Sequence, residues 1–348
     1  LYTCTLFNWD AGSGEHLVLA AFYLILGYAM NSLSPKLAGR FQVSTTFIKL
    51  IPLALMAIIG TIVGLINGQT VEALTMTIQS EGGSNGSFFA AVAAFAFAYE
   101  GWIITTSINA ELKDSKKNLP RALIIGSIIV ILVYLAYYLG LTGALSSKDL
   151  MASGNIPKDA FAALFGNPVF GTIAYVFVII SCLGTMNGLM LGCCRGMYSV
   201  AARGMGPAPK VFNQVDRETN MPTNSSIFGL IACAFWMLQW HLGECGINIL
   251  PGIFAWENDE LPIITLYAAY IPIFLVFMAR EKDVNPFKRF VMPVLAIITC
   301  VFMVYAASSA YKMRAVYYLI VFAVVMVIGY LLRGSKERIA AFNAELKE

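Results

Sequence analysis

Residues Phe88–Arg121 read FFAAVAAFAFAYEGWIITTSINAELKDSKKNLPR. The first part of this stretch is apolar and long enough to cross a bilayer. Yet Tyr99-Glu100-Gly101-Trp102 falls at its centre. A carboxylate in the middle of a membrane helix costs about 2.5–3.5 kcal/mol on insertion scales, and such residues as a rule face a cavity or a pathway. Gly101 beside Glu100 weakens the helix further, and a helix broken at mid-membrane exposes backbone groups that a ligand can use. The competing reading is an unbroken span in which Gly101 packs against a neighbour and Glu100 is neutralised by a proton or a partner.

The rest of the chain supplies the setting. Its 348 residues are 58% hydrophobic and only 12% charged, about half the charge of a soluble domain. Such a balance cannot make a water-facing surface, so the chain reads as an all-α polytopic membrane protein. The net charge of +3 is too small to imply nucleic acid. The cysteines Cys4, Cys182, Cys193, Cys194, Cys233, Cys245 and Cys300 fall mostly in apolar runs without CxxC or Cys/His clustering. They read as small buried hydrophobes rather than metal ligands, with a Cys4–Cys245 disulfide as one open pairing.

Nine apolar spans are expected, at about 17–33, 46–66, 88–110, 122–145, 172–200, 226–243, 261–279, 290–308 and 315–332, each near the ~20 residues a helix needs to cross. Basic residues alternate around them. The segments 34–45, 111–121, 195–224, 280–289 and 333–348 hold Lys36, Arg40, Lys113, Lys116, Lys117, Arg121, Arg195, Arg203, Lys210, Arg217, Arg280, Lys282, Lys288, Arg289, Arg333, Lys336, Arg338 and Lys347, eighteen of the 23 Lys and Arg. The opposite loops hold Lys148, Lys158, Lys312 and Arg314, and Lys49 lies inside a span. By the positive-inside rule this puts the C-terminus in the cytoplasm and residue 1 on the outer side. A start on the outer side predicts an odd number of spans upstream. The 67–87 loop carries Asn85-Gly86-Ser87, a glycosylation sequon, and the 146–168 loop and the 333–348 tail are long enough for short helices.

Few residues could carry chemistry. An ammonium at Lys49 must find carbonyls or a carboxylate, lose its proton, or snorkel to the headgroups. Gly184, Gly188, Gly192 and Gly196 recur every fourth residue, which keeps them on one helix face where another backbone can approach. Asn187 and Thr185 either line a pathway or bond across helices. No HExxH, GxSxG, P-loop or acid pair in a water-facing domain appears, and the reading requires no cofactor or metal.

Three segments together resemble the amino acid–polyamine–organocation (APC) transporters, most closely the L-amino-acid transporter branch with its bacterial serine/threonine and alanine–serine–cysteine exchangers. FAYEGWIITTSINAELKDSKKNLPRAL (97–123) is similar to that family's sixth span and following loop. FQVSTTFIKLIPLALMAIIGTIVGL (41–65) is similar to its fifth span, with Lys49 on the functional lysine. SCLGTMNGLMLGCCRGMYSVAARGMGPAP (181–209) is similar to its eighth span. The resemblance implies a five-plus-five inverted-repeat helical bundle, with the nine spans matching spans four to twelve and the first three lacking. Within a single transporter domain, 1–348, residues 17–66 would end the first repeat, 88–279 form the second, 290–332 supply two extra helices, and 333–348 form a cytoplasmic tail.

The resemblance also implies roles. Carbonyls at Phe95, Ala96, Phe97, Ala98 and Tyr99 would receive a substrate ammonium, with Glu100 and Gly101 completing the break. Phe97 would be the gate, and Trp102 would pack the break. Glu100 departs from the Asp, Gly or other small or polar residue of relatives. Lys49 would occupy the place of a coupling cation. The implied activity is sodium-independent exchange of neutral L-amino acids by alternating access in the cell membrane, by an antiporter or permease among lipids, with no particular protein partner indicated. A proton-coupled permease in which Lys49 or Glu100 titrates, and a membrane sensor that binds amino acids without moving them, remain open.

Overall fold

The computed structural model describes residues 2–75, 85–243 and 258–345. Every regular element among them is helical: α1 (Tyr2–Leu6), α2 (Ser13–Leu33), α3 (Pro35–Leu55), a π segment (Met56–Gly60), α4 (Thr61–Ile66), α5 (Gln69–Thr75), α6 (Asn85–Tyr99), a 3-10 segment (Trp102–Glu111), α7 (Ser115–Ala144), α8 (Ser147–Ala152), α9 (Ile156–Phe165), α10 (Pro168–Ala201), α11 (Pro209–Phe212), α12 (Thr223–Gly243), α13 (Pro262–Arg280), a second π segment (Phe287–Val291), α14 (Met292–Tyr311), α15 (Met313–Leu332) and α16 (Lys336–Glu345). Nine helical stretches among the described residues are long and apolar enough to cross a membrane, in the predicted order. The all-α, multi-pass character expected from composition is therefore correct.

The ends of the spans differ from expectation. Residues 34–45 are not a loop: Ser34 alone separates α2 from α3, and Lys36 and Arg40 lie on α3. Likewise α7 begins at Ser115 and α10 runs to Ala201, so Lys116, Lys117, Arg121 and Arg195 are helical. The 34 residues of α10 extend about 51 Å at 1.5 Å per residue, well beyond a ~30 Å hydrocarbon core. Apolar runs mark only the hydrocarbon-spanning part of a helix; backbone hydrogen bonding continues through the headgroup layer with charged side chains. The expected short helices are present at α8 and α9 in the 146–168 loop and at α16 in the tail. Cys245, and with it the Cys4 pairing, lies outside the described residues, as do residues 76–84 of the 67–87 loop.

The contacts divide the chain into two units: Leu1–Ile78, Gly101–Gly204 and Ala208–Cys233 form the first, and Gln79–Glu100, Met205–Pro207 and Ala234–Glu348 the second. In the first unit α10 packs on α2, α3 and α9, and the Met56–Gly60 segment and α4 pack on α7. Pro52 inside α3 removes a backbone donor, and the π segment follows within one turn. Helix contacts here are made backbone to backbone. A Cβ on Gly60 would lie 2.9 Å from Gly140 Cα, and one on Gly143 2.9 Å from Gly64 Cα. Met56, Ala160, Phe161 and Ala174 fill the adjacent core with Tyr137 and Leu141 against them.

In the second unit α14 packs on α6, α13 and α15. Ala93 and Ala96 of α6 are buried with Leu261, Ile263, Ile264, Ala307 and Ala315. Thr265 and Tyr318 join α13 to α15 through a 2.7 Å hydroxyl–hydroxyl hydrogen bond. The tail helix α16 is tied in as well: Arg338 donates to Gly206 O, and Gly206 N–H donates to Arg333 O over 3.1 Å.

Candidate functional site

The break foreseen at Glu100–Gly101 is present. α6 stops at Tyr99, Gly101 adopts φ +107°, and the chain resumes as a 3-10 helix at Trp102. Only glycine enters that backbone region without strain. Glu100 N–H donates to Phe97 O over 3.1 Å, and Ile104 N–H donates to Gly101 O over 3.1 Å. An α-helix that ends leaves its last carbonyls without the i→i−4 donors that would continue it. Here Phe97 O accepts from Glu100 N–H at i→i+3 spacing, so the backbone polar groups at the break are arranged differently from those of an uninterrupted span.

The seven residues assigned to substrate binding divide between faces. Phe95, Ala96 and Tyr99 line one groove of about 260 Å³ with Val92, Tyr267 and Met303, all in the second unit. Phe97 and Ala98 point away from that groove and are exposed, Phe97 by 44%. Successive residues on a helix are ~100° apart, so Phe95 and Phe97 cannot share a face. Glu100, at the end of the same unit, stands within electrostatic reach of Tyr267 and Tyr270 of α13, whose rings meet edge to face at 5.7 Å. Gly101 belongs to the first unit.

Lys49 lies in the first unit, half-buried on α3 one turn before Pro52. It borders a cavity of about 200 Å³ lined by Tyr137, Phe161, Phe177, Ser181 and Cys182. Among the described residues its ammonium makes no hydrogen bond or ion pair. The cavity wall is otherwise mostly apolar, so the ammonium is its main charged feature.

The polar residues of α10 fall on the side of helix bonding. Asn187, 3% exposed, donates through Nδ2 to Gln42 Oε1 at 3.0 Å and to Ala38 O at 3.2 Å. Asn31 of α2 donates through its own Nδ2 to Asn187 Oδ1 at 3.0 Å and to Gly27 O at 2.9 Å. Three helices thus share one buried amide network. Thr185 is exposed. The glycine row also serves packing: a Cβ on Gly184 would lie 2.6 Å from Thr45 Oγ1, while Gly188 and Gly192 have ordinary contacts with Gln42 and Ile104 and Gly196 has open space. Sequence reasoning singled out neither Asn31 nor Gln42. It also passed over Gly60-xxx-Gly64, a small-xxx-small pattern that was readable.

Comparison with known proteins accords with this arrangement. The family model described as amino acid permease matches residues 2–331. The serine/threonine exchanger SteT of Bacillus subtilis is 28% identical over 300 residues, 84% of this chain and 63% of its own length. The human large neutral amino acids transporter small subunit 2 is 31% identical over 279 residues, covering 75% of this chain and 51% of its own. The human cystine/glutamate transporter is 26% identical over 302 residues, 85% of this chain and 56% of its own. The chain therefore spans between about half and two-thirds of the length of these relatives. A match over nearly its whole extent, on nine membrane-length helices with one broken at Glu100–Gly101, shows that this chain belongs to the amino acid permease family.

Proposed function

We propose that the protein containing this chain carries out secondary active transport of amino acids, by sodium-independent exchange of neutral L-amino acids through alternating access. The observation that carries the reading is the interrupted span: α6 ends at Tyr99, Gly101 turns the backbone, and Phe95, Ala96 and Tyr99 line a groove beside the break. Backbone carbonyls at such a break suit an α-ammonium group. The activities that name two of the relatives, serine/threonine exchange and transport of large neutral amino acids, support the same substrate class. Lys49 supplies a fixed positive charge inside a span, which can stand in for a coupling cation and removes the need for sodium. The distribution of basic residues supports a cytoplasmic C-terminus and a place in the cell membrane.

Uptake of radiolabelled serine, threonine or leucine into proteoliposomes holding the full-length protein tests this. Exchange requires uptake that rises several-fold when the vesicles are preloaded with unlabelled amino acid and that is indifferent to sodium. Binding without uptake under every loading condition would replace transport with sensing.

One observation favours a second reading, proton coupling. Glu100 is a carboxylate inside a span, within electrostatic reach of Tyr267 and Tyr270, and an intramembrane carboxylate is a common proton-relay group. Uptake driven by an inward proton gradient with empty vesicles, and lost in Glu100→Gln, would select it.

A further inference from the structure

Cys193 of α10 and Cys233 of α12 come from different helices, forty residues apart, yet their side chains lie close enough to interact. The approach has a visible cause. Gly229, one turn before Cys233, faces the α10 backbone so closely that a Cβ placed on it would sit 2.5 Å from Cys193 O and 2.8 Å from Cys193 C. Helical side chains lean back toward the helix N-terminus, so the Cys233 sulfur is carried toward the level of Gly229 and hence toward Cys193. Neither thiol is sealed off: both are partly exposed, whereas Cys194 next along α10 is fully buried.

We propose that Cys193 and Cys233 form an oxidisable dithiol that closes to an interhelical disulfide when it meets a peroxide. A disulfide needs Cβ atoms about 3.5–4.5 Å apart, and neighbouring thiols across a helix pair narrowed at Gly229 need little adjustment to reach it. In the reaction both S–H bonds and the peroxide O–O bond break. One S–S bond and two O–H bonds form, so the two thiols lose two electrons and two protons and hydrogen peroxide leaves as two waters. Hydrogen peroxide is small and uncharged enough to reach a site inside a membrane. Cys233 is also the last residue of the first unit before α12 continues into the second. The disulfide would therefore fasten α12 to α10 at the point where that helix leaves the unit. The pair shares no residue with the groove beside Glu100 and does not depend on which amino acid is carried.

The test uses the full-length protein in nanodiscs, treated with hydrogen peroxide, alkylated with N-ethylmaleimide and digested for mass spectrometry. The expected result is a Cys193–Cys233 linked peptide two hydrogens lighter than its parts, with loss of alkylation at both residues and recovery after dithiothreitol. Cys193→Ser and Cys233→Ser should each abolish the linked peptide, while Cys182→Ser and Cys300→Ser should leave it unchanged. Gly229→Ala, which forces the helices apart, should lower its yield by about tenfold if the close approach governs closure. Full alkylation of both thiols after peroxide, or a link from Cys233 to Cys194 instead, would overturn the proposal.

Discussion

Gly60 and Gly140 meet backbone to backbone: a Cβ added to Gly60 would lie 2.9 Å from Gly140 Cα, and one added to Gly140 would lie 3.1 Å from Ala57 Cα. No side chain can enter that contact without separating the π segment Met56–Gly60 from α7. In lipid, close backbone packing is itself a main source of helix association. Gly60→Val and Gly140→Val are therefore expected to destabilise the fold by about 1–3 kcal/mol through overpacking. Gly126→Val, on α7 with nothing within 4 Å of an added Cβ, should behave like the parent. Detergent-solubilised melting curves for the three variants check this, and equal losses in all of them would remove the glycine contact as the cause.

The amide network should respond differently. Asn187→Leu removes the shared partner of Asn31 and Gln42 and leaves buried donors and acceptors without mates. Hydrogen bonds between membrane helices average about 0.6 kcal/mol and reach ~1.7, so a loss of roughly 1–2 kcal/mol is expected. A double-mutant cycle between Asn187→Leu and Gln42→Leu should show coupling of about 0.5–1.5 kcal/mol. Strict additivity would mean that the pair does not act together.

These two cases mark what could be read from the chain alone. Long apolar runs announce the spans, because a bilayer demands ~20 apolar residues wherever a helix crosses. Helix ends were harder, as at Ser34 and Ser115, because helices continue into a layer where charge is tolerated. The interruption at Glu100–Gly101 was legible, since a carboxylate and a glycine in adjacent positions conflict with an uninterrupted span. Which face each neighbour presents was not. The run FFAAVAAFAFAY is apolar all round, so no periodicity separates Phe95, on the groove, from Phe97, away from it. Gly60-xxx-Gly64 could be seen in the sequence, but its partner Gly140 could not, because a packing motif does not name the helix it meets.

Topology gives a direct check. In a cysteine-free background, a single cysteine at position 83 should react with an impermeant maleimide on intact cells, and one at position 116 only after permeabilisation. The alternation of basic residues motivates this. Reversed labelling would invert the membrane orientation.

Lys49 is the charged group of a mostly apolar cavity. If its ammonium acts as a built-in coupling cation, Lys49→Ala should slow exchange at least tenfold, the equivalent of about 1.4 kcal/mol in barrier, with much less effect on the amount of folded protein. Lys49→Arg should retain part of the rate by keeping the charge. Parental kinetics in Lys49→Ala would show that this lysine only reaches for the headgroups.

Phe97 and Phe89 lie on one helix with opposite expectations. Phe89 packs edge to face on Tyr305 of α14, ring centroids 5.4 Å apart, and its role is structural. Phe97 is 44% exposed and away from the groove that Phe95, Ala96 and Tyr99 line, while its carbonyl receives Glu100 N–H at the break. The proposed gate role requires this ring to act on a substrate held at the break itself, through the backbone around Gly101, rather than in the groove, excluding water during turnover. Phe97→Ala should then cut the maximal exchange rate by about tenfold at unchanged melting temperature, and Phe97→Trp should narrow the range of accepted amino acids by filling space. Phe89→Ala should instead lose about 1–3 kcal/mol of stability, as truncation of a partly buried aromatic pair does, with the surviving protein exchanging normally. The measurement is KM and maximal rate for each full-length variant, reconstituted at matched density, beside its melting curve. If Phe97→Ala exchanges like the parent while Phe89→Ala does not, the gate lies about two turns nearer the start of α6. Residues around Phe89, rather than those beside Gly101, would then close over the substrate.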